Sequence, residues 1–231
     1  GKLYLTFSDD NLLAQLDAKT GMVVKTFPVK NPGAVSAVGD RLVYLTSESS
    51  RVLALDSTTG ETRVAVDELT NTDGLAVDRK GNLCLSFGFP KPGLMVYSPD
   101  GKLLHSMGKA RLGGSGPWDM DTLAHSTEIA VDGNGLIWVA EALHPRRVSV
   151  WDPKLEKCVR EYFGPTHYGA SGAVINPRDP DLLIAEGCEF RINPRTGRAT
   201  MQGIVAIPEI PQAARFCEGP EGREYLAGVY Q

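Results

Sequence analysis

Gly74-Leu-Ala-Val-Asp78, a turn at Arg79-Lys-Gly-Asn82, then Leu83-Cys-Leu-Ser-Phe87, Leu94-Met-Val-Tyr97 and Lys102-Leu-Leu-His105 read as four short β runs joined by tight turns. Each run is apolar, and each is bounded by Gly, Pro, Asp or Asn, the residues that stop a strand and supply turn geometry. The pattern recurs. Glu128-Ile-Ala-Val-Asp132, Gly133-Asn-Gly135, Leu136-Ile-Trp-Val-Ala140, Arg147-Val-Ser-Val-Trp151 and Cys158-Val-Arg-Glu-Tyr162 form a second copy. Ala173-Val-Ile-Asn176, Leu182-Leu-Ile-Ala185, Phe190-Arg-Ile192 and Ala199-Thr-Met201 form a third.

The turns set the period. Leu16-Asp-Ala-Lys-Thr-Gly21, Leu55-Asp-Ser-Thr-Thr-Gly60, Tyr97-Ser-Pro-Asp-Gly101, Trp151-Asp-Pro-Lys-Leu155 and Ile192-Asn-Pro-Arg-Thr-Gly197 align, with Gly21 to Gly60 spanning 39 positions, Gly60 to Gly101 spanning 41 and Asp152 to Asn193 spanning 41. Four strands per period of about 41, without an amphipathic helix, predict an all-β chain: a β-propeller of four-stranded blades. The expected layout is one propeller domain over 1–231, with a partial blade at 1–30 and blades at 31–66, 67–107, 108–163 and 164–206. A partial blade follows at 207–231, and the blade at 108–163 carries an insertion at 108–127. Both partial blades contain a second strand, so they do not combine into one closing blade. The expectation is a fragment of a six- or seven-bladed ring, flanked by further propeller sequence in its parent chain.

Composition narrows the function. The 231 residues are 42% hydrophobic and 23% charged, the balance of a folded chain rather than a disordered one. The formal net charge is -4 with no basic block, which argues against nucleic acid as a partner. No apolar run approaches the roughly 20 residues needed to span a bilayer. Cys84, Cys158, Cys188 and Cys217 show neither C-x-x-C nor C-x-x-C-H spacing, so no haem and no zinc ribbon is expected, and the thiols read as small core residues. The compartment stays open, with a secreted or periplasmic location favoured over a cytoplasmic one.

Alternating strands put the connections on two sides. One side has short turns; the other has the longer loops at Ser47–Arg51, Gly88–Gly93, Gly108–Thr127, Glu141–Arg147, Gly164–Ser171 and Glu186–Glu189. Rigid scaffolds vary such loops for function. His125, His144 and His167 all fall on the long-loop side, Glu128 and Glu141 flank one hairpin, and Trp118, Asp119 and Asp121 decorate the loop before it. Such a cluster can hold zinc or calcium, or act as an acid/base pair. The plain alternative is chance histidines, with Glu128 and Glu141 pairing Arg146 and Arg147. Candidate metal ligands are Asn71, Asp73, His125 and Glu128. Candidate binding residues are Trp118 as an exposed anchor, Arg146, Arg147, His167 and Tyr168. Gly113-Gly-Ser-Gly116 lacks the Lys of a phosphate loop and reads as a flexible link.

The units Gly74-Leu-Ala-Val-Asp-Arg-Lys-Gly-Asn-Leu83 and Glu128-Ile-Ala-Val-Asp-Gly-Asn-Gly-Leu-Ile-Trp-Val-Ala-Glu141 resemble the NHL/SMP-30-like six-bladed propeller group. The second is also similar to a streptogramin-lyase blade, which implies a catalytic role for Glu141 with His144 as acid/base partner. That pattern starts with a histidine where Thr127 and Glu128 stand here. Likeness to SMP-30-type lactonases implies metal ligation by Asn71, Asp73 and Glu128. The Asp-Ala-Lys-Thr-Gly turn looks like a quinoprotein blade, yet Lys25 and Val64 occupy the docking tryptophan's place, so no PQQ is expected. The leading expectation is an NHL-like bacterial module that binds a partner protein or small ligand on the long-loop face without catalysis. Its rival is a metal-dependent lyase or lactonase using Glu141, His144 and Glu128 at the channel mouth.

Overall fold

The computed structural model describes residues 1–88, 90–111, 116–142, 145–163, 173–185 and 187–205, and the backbone alone of 213–218 and 224–229. Among the described residues every regular element is a strand, and none is a helix. The chain divides into two compact units, residues 1–111 with 121–142 and 148–162, and residues 112–120 with 143–147 and 163–231.

The first unit opens on a three-stranded antiparallel sheet, β1 (Lys2–Phe7), β2 (Leu12–Asp17) and β3 (Val23–Pro28). Two four-stranded meanders follow. One is β4 (Pro32–Val38), β5 (Leu42–Ser47), β6 (Arg51–Asp56) and β7 (Thr62–Val66). The other is β8 (Thr72–Val77), β9 (Leu83–Phe87), β10 (Gly93–Tyr97) and β11 (Leu103–Met107). Three two-residue strands come next, β12 (Lys109–Ala110), β13 (Gly116–Pro117) and β14 (Thr122–Leu123), with β12 and β14 paired in parallel. A further meander is β15 (Ser126–Val131), β16 (Ile137–Glu141), β17 (Arg147–Asp152) and β18 (Lys157–Phe163).

The hairpins form because Asp folds back on its own backbone. Asp17 Oδ1 accepts from the amides of Lys19 and Thr20, Asp78 Oδ1 from Lys80 and Asn82, and Asp132 Oδ1 from Asn134 and Leu136. These are Asx-type turns, and the glycines that close them take positive φ, as at Gly21 (69°) and Gly81 (84°). Each sheet then stacks on the next. Leu13 and Phe27 pack with Val43, Leu45 and Leu55. Tyr44, Val52 and Ala54 on the opposite face pack with Leu75, Leu85 and Phe87. Both faces of these sheets are covered, which is why β5 and β9 are buried at successive positions instead of alternating.

In the second unit β13 is the edge of a five-stranded sheet, followed by β22 (Arg198–Ile204), β21 (Cys188–Asn193), β20 (Asp179–Ala185) and β19 (Ala173–Asn176). A separate hairpin joins β23 (Ala213–Glu218) to β24 (Glu224–Val229). Gly116, expected in a flexible link, instead pairs with Ile204. Gly203 lets this strand approach, since a Cβ there would lie 2.9 Å from the Gly116 carbonyl oxygen. Cys84, Cys158 and Cys188 are buried; Cys217 falls where only backbone is described.

Candidate functional site

The first strands β4, β8 and β15 adjoin in order, and their starts share one construction. Each is preceded by a residue whose carbonyl accepts from the amide just beyond the second strand: Asn31 from Glu48, Asn71 from Gly88 and His125 from Ala142, all at 3.0 Å. Asn31 and Asn71 adopt left-handed backbone (φ 40° and 51°), which asparagine tolerates better than most residues. A register shift follows in every case, between Pro32 and Val35, Thr72 and Gly74, and Ser126 and Glu128. A β-bulge of this kind adds an unpaired residue and re-aims its side chain. In β8 that residue is Asp73; in β15 it is Thr127.

Asp73 is held in an unusual place. Its Oδ2 is buried and makes no hydrogen bond. The carboxylate lies over Gly88, where a Cβ would come within 2.1 Å of Oδ2, so only glycine leaves room for it. Burial pushes the Asp73 carboxyl above its ordinary range, and His125 at the start of β15 partly counters this through its charge. Ser86, fully buried on β9, also has an unpartnered hydroxyl. It occupies the space that a side chain at Gly74 would fill, 2.6 Å from a Cβ built there. That Cβ would also touch Ile129 of β15, so this face of the sheet looks toward β15. Ser126 Oγ donates to the Phe87 carbonyl at 3.1 Å and fixes the two strands together.

The other sequence candidates are placed differently. Glu141 is buried and engaged: Oε1 accepts from Ser149 Oγ at 2.6 Å and Oε2 from the Ala124 amide at 3.3 Å. Glu128 is exposed on β15, opposite Ala140. Asn71 is exposed in its left-handed turn. Asp121 accepts from the Cys158 amide at 2.9 Å. Of the four candidate metal ligands, Asp73 has a buried carboxylate oxygen, and the charge of His125 acts on that carboxyl. Among the described residues no group of three or more His, Cys, Asp or Glu side chains is placed to hold a metal ion.

In the second unit Trp118 is half-buried rather than a free anchor. It meets Phe163 edge-on at 5.7 Å, Phe163 meets Phe190 at 5.5 Å, and the Arg147 guanidinium lies 4.8 Å over the Trp118 ring. Arg147 is itself buried and donates to the Met120 carbonyl. Arg146 is half-buried. His144, His167 and Tyr168 lie outside the described residues. Sequence reading missed Ser86 and Gly88, because without the bulge nothing distinguishes them from ordinary strand and loop residues.

No protein-family model matches this chain, and no curated protein matches it. Solved structures do. A protein of unknown function from Bacteroides caccae is 12% identical, with 97% of this chain and 81% of that chain covered and a TM-score of 0.53. Hydrazine synthase from Kuenenia stuttgartiensis is 12% identical at a TM-score of 0.57; 99% of this chain aligns but covers 62% of that one, less than two-thirds of its length. Likeness at this identity concerns the fold alone. Sheets and neighbours together define an all-β protein built from repeated four-stranded antiparallel sheets.

Proposed function

We propose that the chain is part of an NHL-like β-propeller, six- or seven-bladed in its parent protein, that binds a small ligand or partner without catalysis. The repeated meanders and the adjoining first strands support the propeller reading. On β1 the apolar side chains Leu3, Leu5 and Phe7 are 52%, 49% and 41% exposed, the face that a further blade would cover. A secreted or periplasmic setting goes with this reading.

The observation that carries the binding assignment is the Asp73 site. A carboxylate oxygen and a hydroxyl, both shielded from water and both unpartnered, are costly to keep in a fold unless something else meets them. The lyase alternative is not favoured, since Glu141, the acid it requires, is tied to Ser149 and Ala124. A fragment screen read by the imidazole resonances of His125 tests the proposal. Fragments that shift His125 in the wild type and not in Asp73→Ala are expected; hits confined to other surfaces would sink it.

A further inference from the structure

We infer that the free edge of β1 takes one more antiparallel strand, the first strand of a further repeat supplied by the parent polypeptide, a reading that rests on the propeller proposed above. The opening sheet runs β1-β2-β3, while the sheets of β4, β8 and β15 each have four strands. Register shows how the two kinds correspond. Lys2 pairs with Asp17 and Phe7 with Leu12, as Leu42 pairs with Asp56 and Ser47 with Arg51. The Ala18 amide donates to the Gly1 carbonyl as the Ser57 amide does to Arg41, and the Val29 amide donates to Asn11 as the Leu69 amide does to Ser50. β1 to β3 are therefore built as β5 to β7 are, and Tyr4-Leu-Thr6 repeats Tyr44-Leu-Thr46. In the second sheet β5 has β4 on its far edge. In the first, among the described residues, β1 pairs with β2 alone. An edge strand of this kind presents unpaired N–H and C=O groups to any strand that can match it.

The chemistry of the incoming strand is read from β4, Pro32-Gly-Ala-Val-Ser-Ala-Val38. Ala37 lies opposite Val43, Ser36 opposite Tyr44 and Val35 opposite Leu45. Gly33 lies against Thr46, where a Cβ would come 2.5 Å from Oγ1. On β1 the corresponding partners are Leu3, Tyr4, Leu5 and Thr6. The strand they accept is extended and uncharged, small opposite Leu3 and Tyr4, branched opposite Leu5, and glycine against Thr6. A second copy pairing through its own β1 offers no such strand, because β1 has no glycine between Lys2 and Phe7. Position favours the repeat as the source. β4 adjoins β8, β8 adjoins β15, and β4 also adjoins β1. A strand on the β1 edge continues that row of first strands, which is the place a tandem repeat fills and an unrelated protein does not.

The probe is a labelled synthetic peptide of residues 31–39 with blocked ends, titrated with the whole 231-residue chain and read by fluorescence anisotropy. Saturable one-to-one binding is expected, with a scrambled peptide weaker by about tenfold or more. Gly33→Ala in the peptide should weaken binding about tenfold, and Thr6→Ala in the chain should restore it, since the obstructing hydroxyl is gone. Two further peptides are N-methylated on alternate residues, one on each set. One is expected to bind and the other not, because only every second amide of an added strand faces its partner. A grafted chain, with another copy of residues 32–40 joined ahead of Gly1, is expected to melt several degrees above a chain carrying the scrambled graft. Equal binding by an unrelated β-forming peptide, or by both N-methylated peptides, overturns the assignment. So does concentration-dependent dimerisation of the chain that the peptide does not reverse. If neither peptide nor graft acts while fragments shift His125, the edge assignment falls and the binding role stands.

Discussion

Ser149 donates its hydroxyl hydrogen to Glu141 Oε1 at 2.6 Å, from β17 to β16, and both residues are buried. Trp151 Nε1 donates to the same serine oxygen at 2.9 Å, and Glu141 Oε2 accepts from the Ala124 amide. The four residues form one hydrogen-bonded line that ties the segment before β15 to the core of its sheet. Replacing Glu141 by Ala leaves a buried hydroxyl and amide short of a partner, at a cost of about 3 kcal/mol. Ser149→Ala should cost about 2 kcal/mol. Urea unfolding of both single variants and the double variant checks this, and additive losses would contradict a shared network.

Acid should attack the turns. Asp56 is held at about 2, below its ordinary 3.8, chiefly by the hydrogen bond from Arg41 (Nε to Oδ2, 2.6 Å), with the Thr58 and Thr59 amides adding to it. A carboxyl lowered on folding contributes stability that is complete above its unfolded value and disappears as pH falls through its folded value. Between pH 4 and pH 2, therefore, the wild-type melting temperature is expected to drop more steeply than that of Asp56→Asn. Asp17, Asp100, Asp132 and Asp179 are lowered as well, so the variant keeps part of the slope. Parallel melting curves would remove Asp56 from the account.

Two glycines in equivalent turns should respond differently to alanine. Both take positive φ, but a Cβ at Gly101 would lie 2.4 Å from the Ala65 carbonyl oxygen of the neighbouring sheet, while one at Gly21 meets nothing within 4 Å. Gly21→Ala carries the left-handed backbone cost alone, about 1 kcal/mol. Gly101→Ala adds a backbone clash and should lose about 3 kcal/mol or more. Thermal melts compare the two directly; equal losses would mean that the sheets do not abut at Ala65.

The buried thiols should be inert in the native state. Burial pushes the Cys84 thiol up to about 12, with the charge of Asp78 adding to the effect, so almost no thiolate exists at neutral pH. Peptide mapping after brief iodoacetamide treatment is expected to leave Cys84, Cys158 and Cys188 unmodified in the native protein and to alkylate all three after unfolding. Native labelling of Cys84 would show that β9 opens readily.

The strands and turns were legible in the chain because local chemistry makes them. Apolar runs of four to six residues, closed by Asp and Gly at fixed offsets, place β8 to β11 and β15 to β18 close to where the sequence alone puts them, and Asp78 and Asp132 cap the hairpins that follow them. The insertion was legible only as extra length. That β13 would join the sheet of β22 depends on Gly203 accepting a strand from almost ninety positions earlier, a pairing no local pattern announces.

The site divides the same way. Asp73 and His125 stood out as residue types at the starts of first strands, a matter of spacing. Which groups share a space was decided by tertiary structure, because one bulged residue reverses the side to which a strand's side chains point. The bulge leaves Asp73 unpaired with its carboxylate over Gly88, and the same shift in β15 gives the equivalent place to Thr127 and leaves Glu128 exposed. Glu141 was chosen for its position at the end of a strand, and only packing reveals that Ser149 and Ala124 claim both its oxygens. Period and turn chemistry are written residue by residue; the partner of a buried polar atom is set by whichever distant backbone the stacked sheets bring against it.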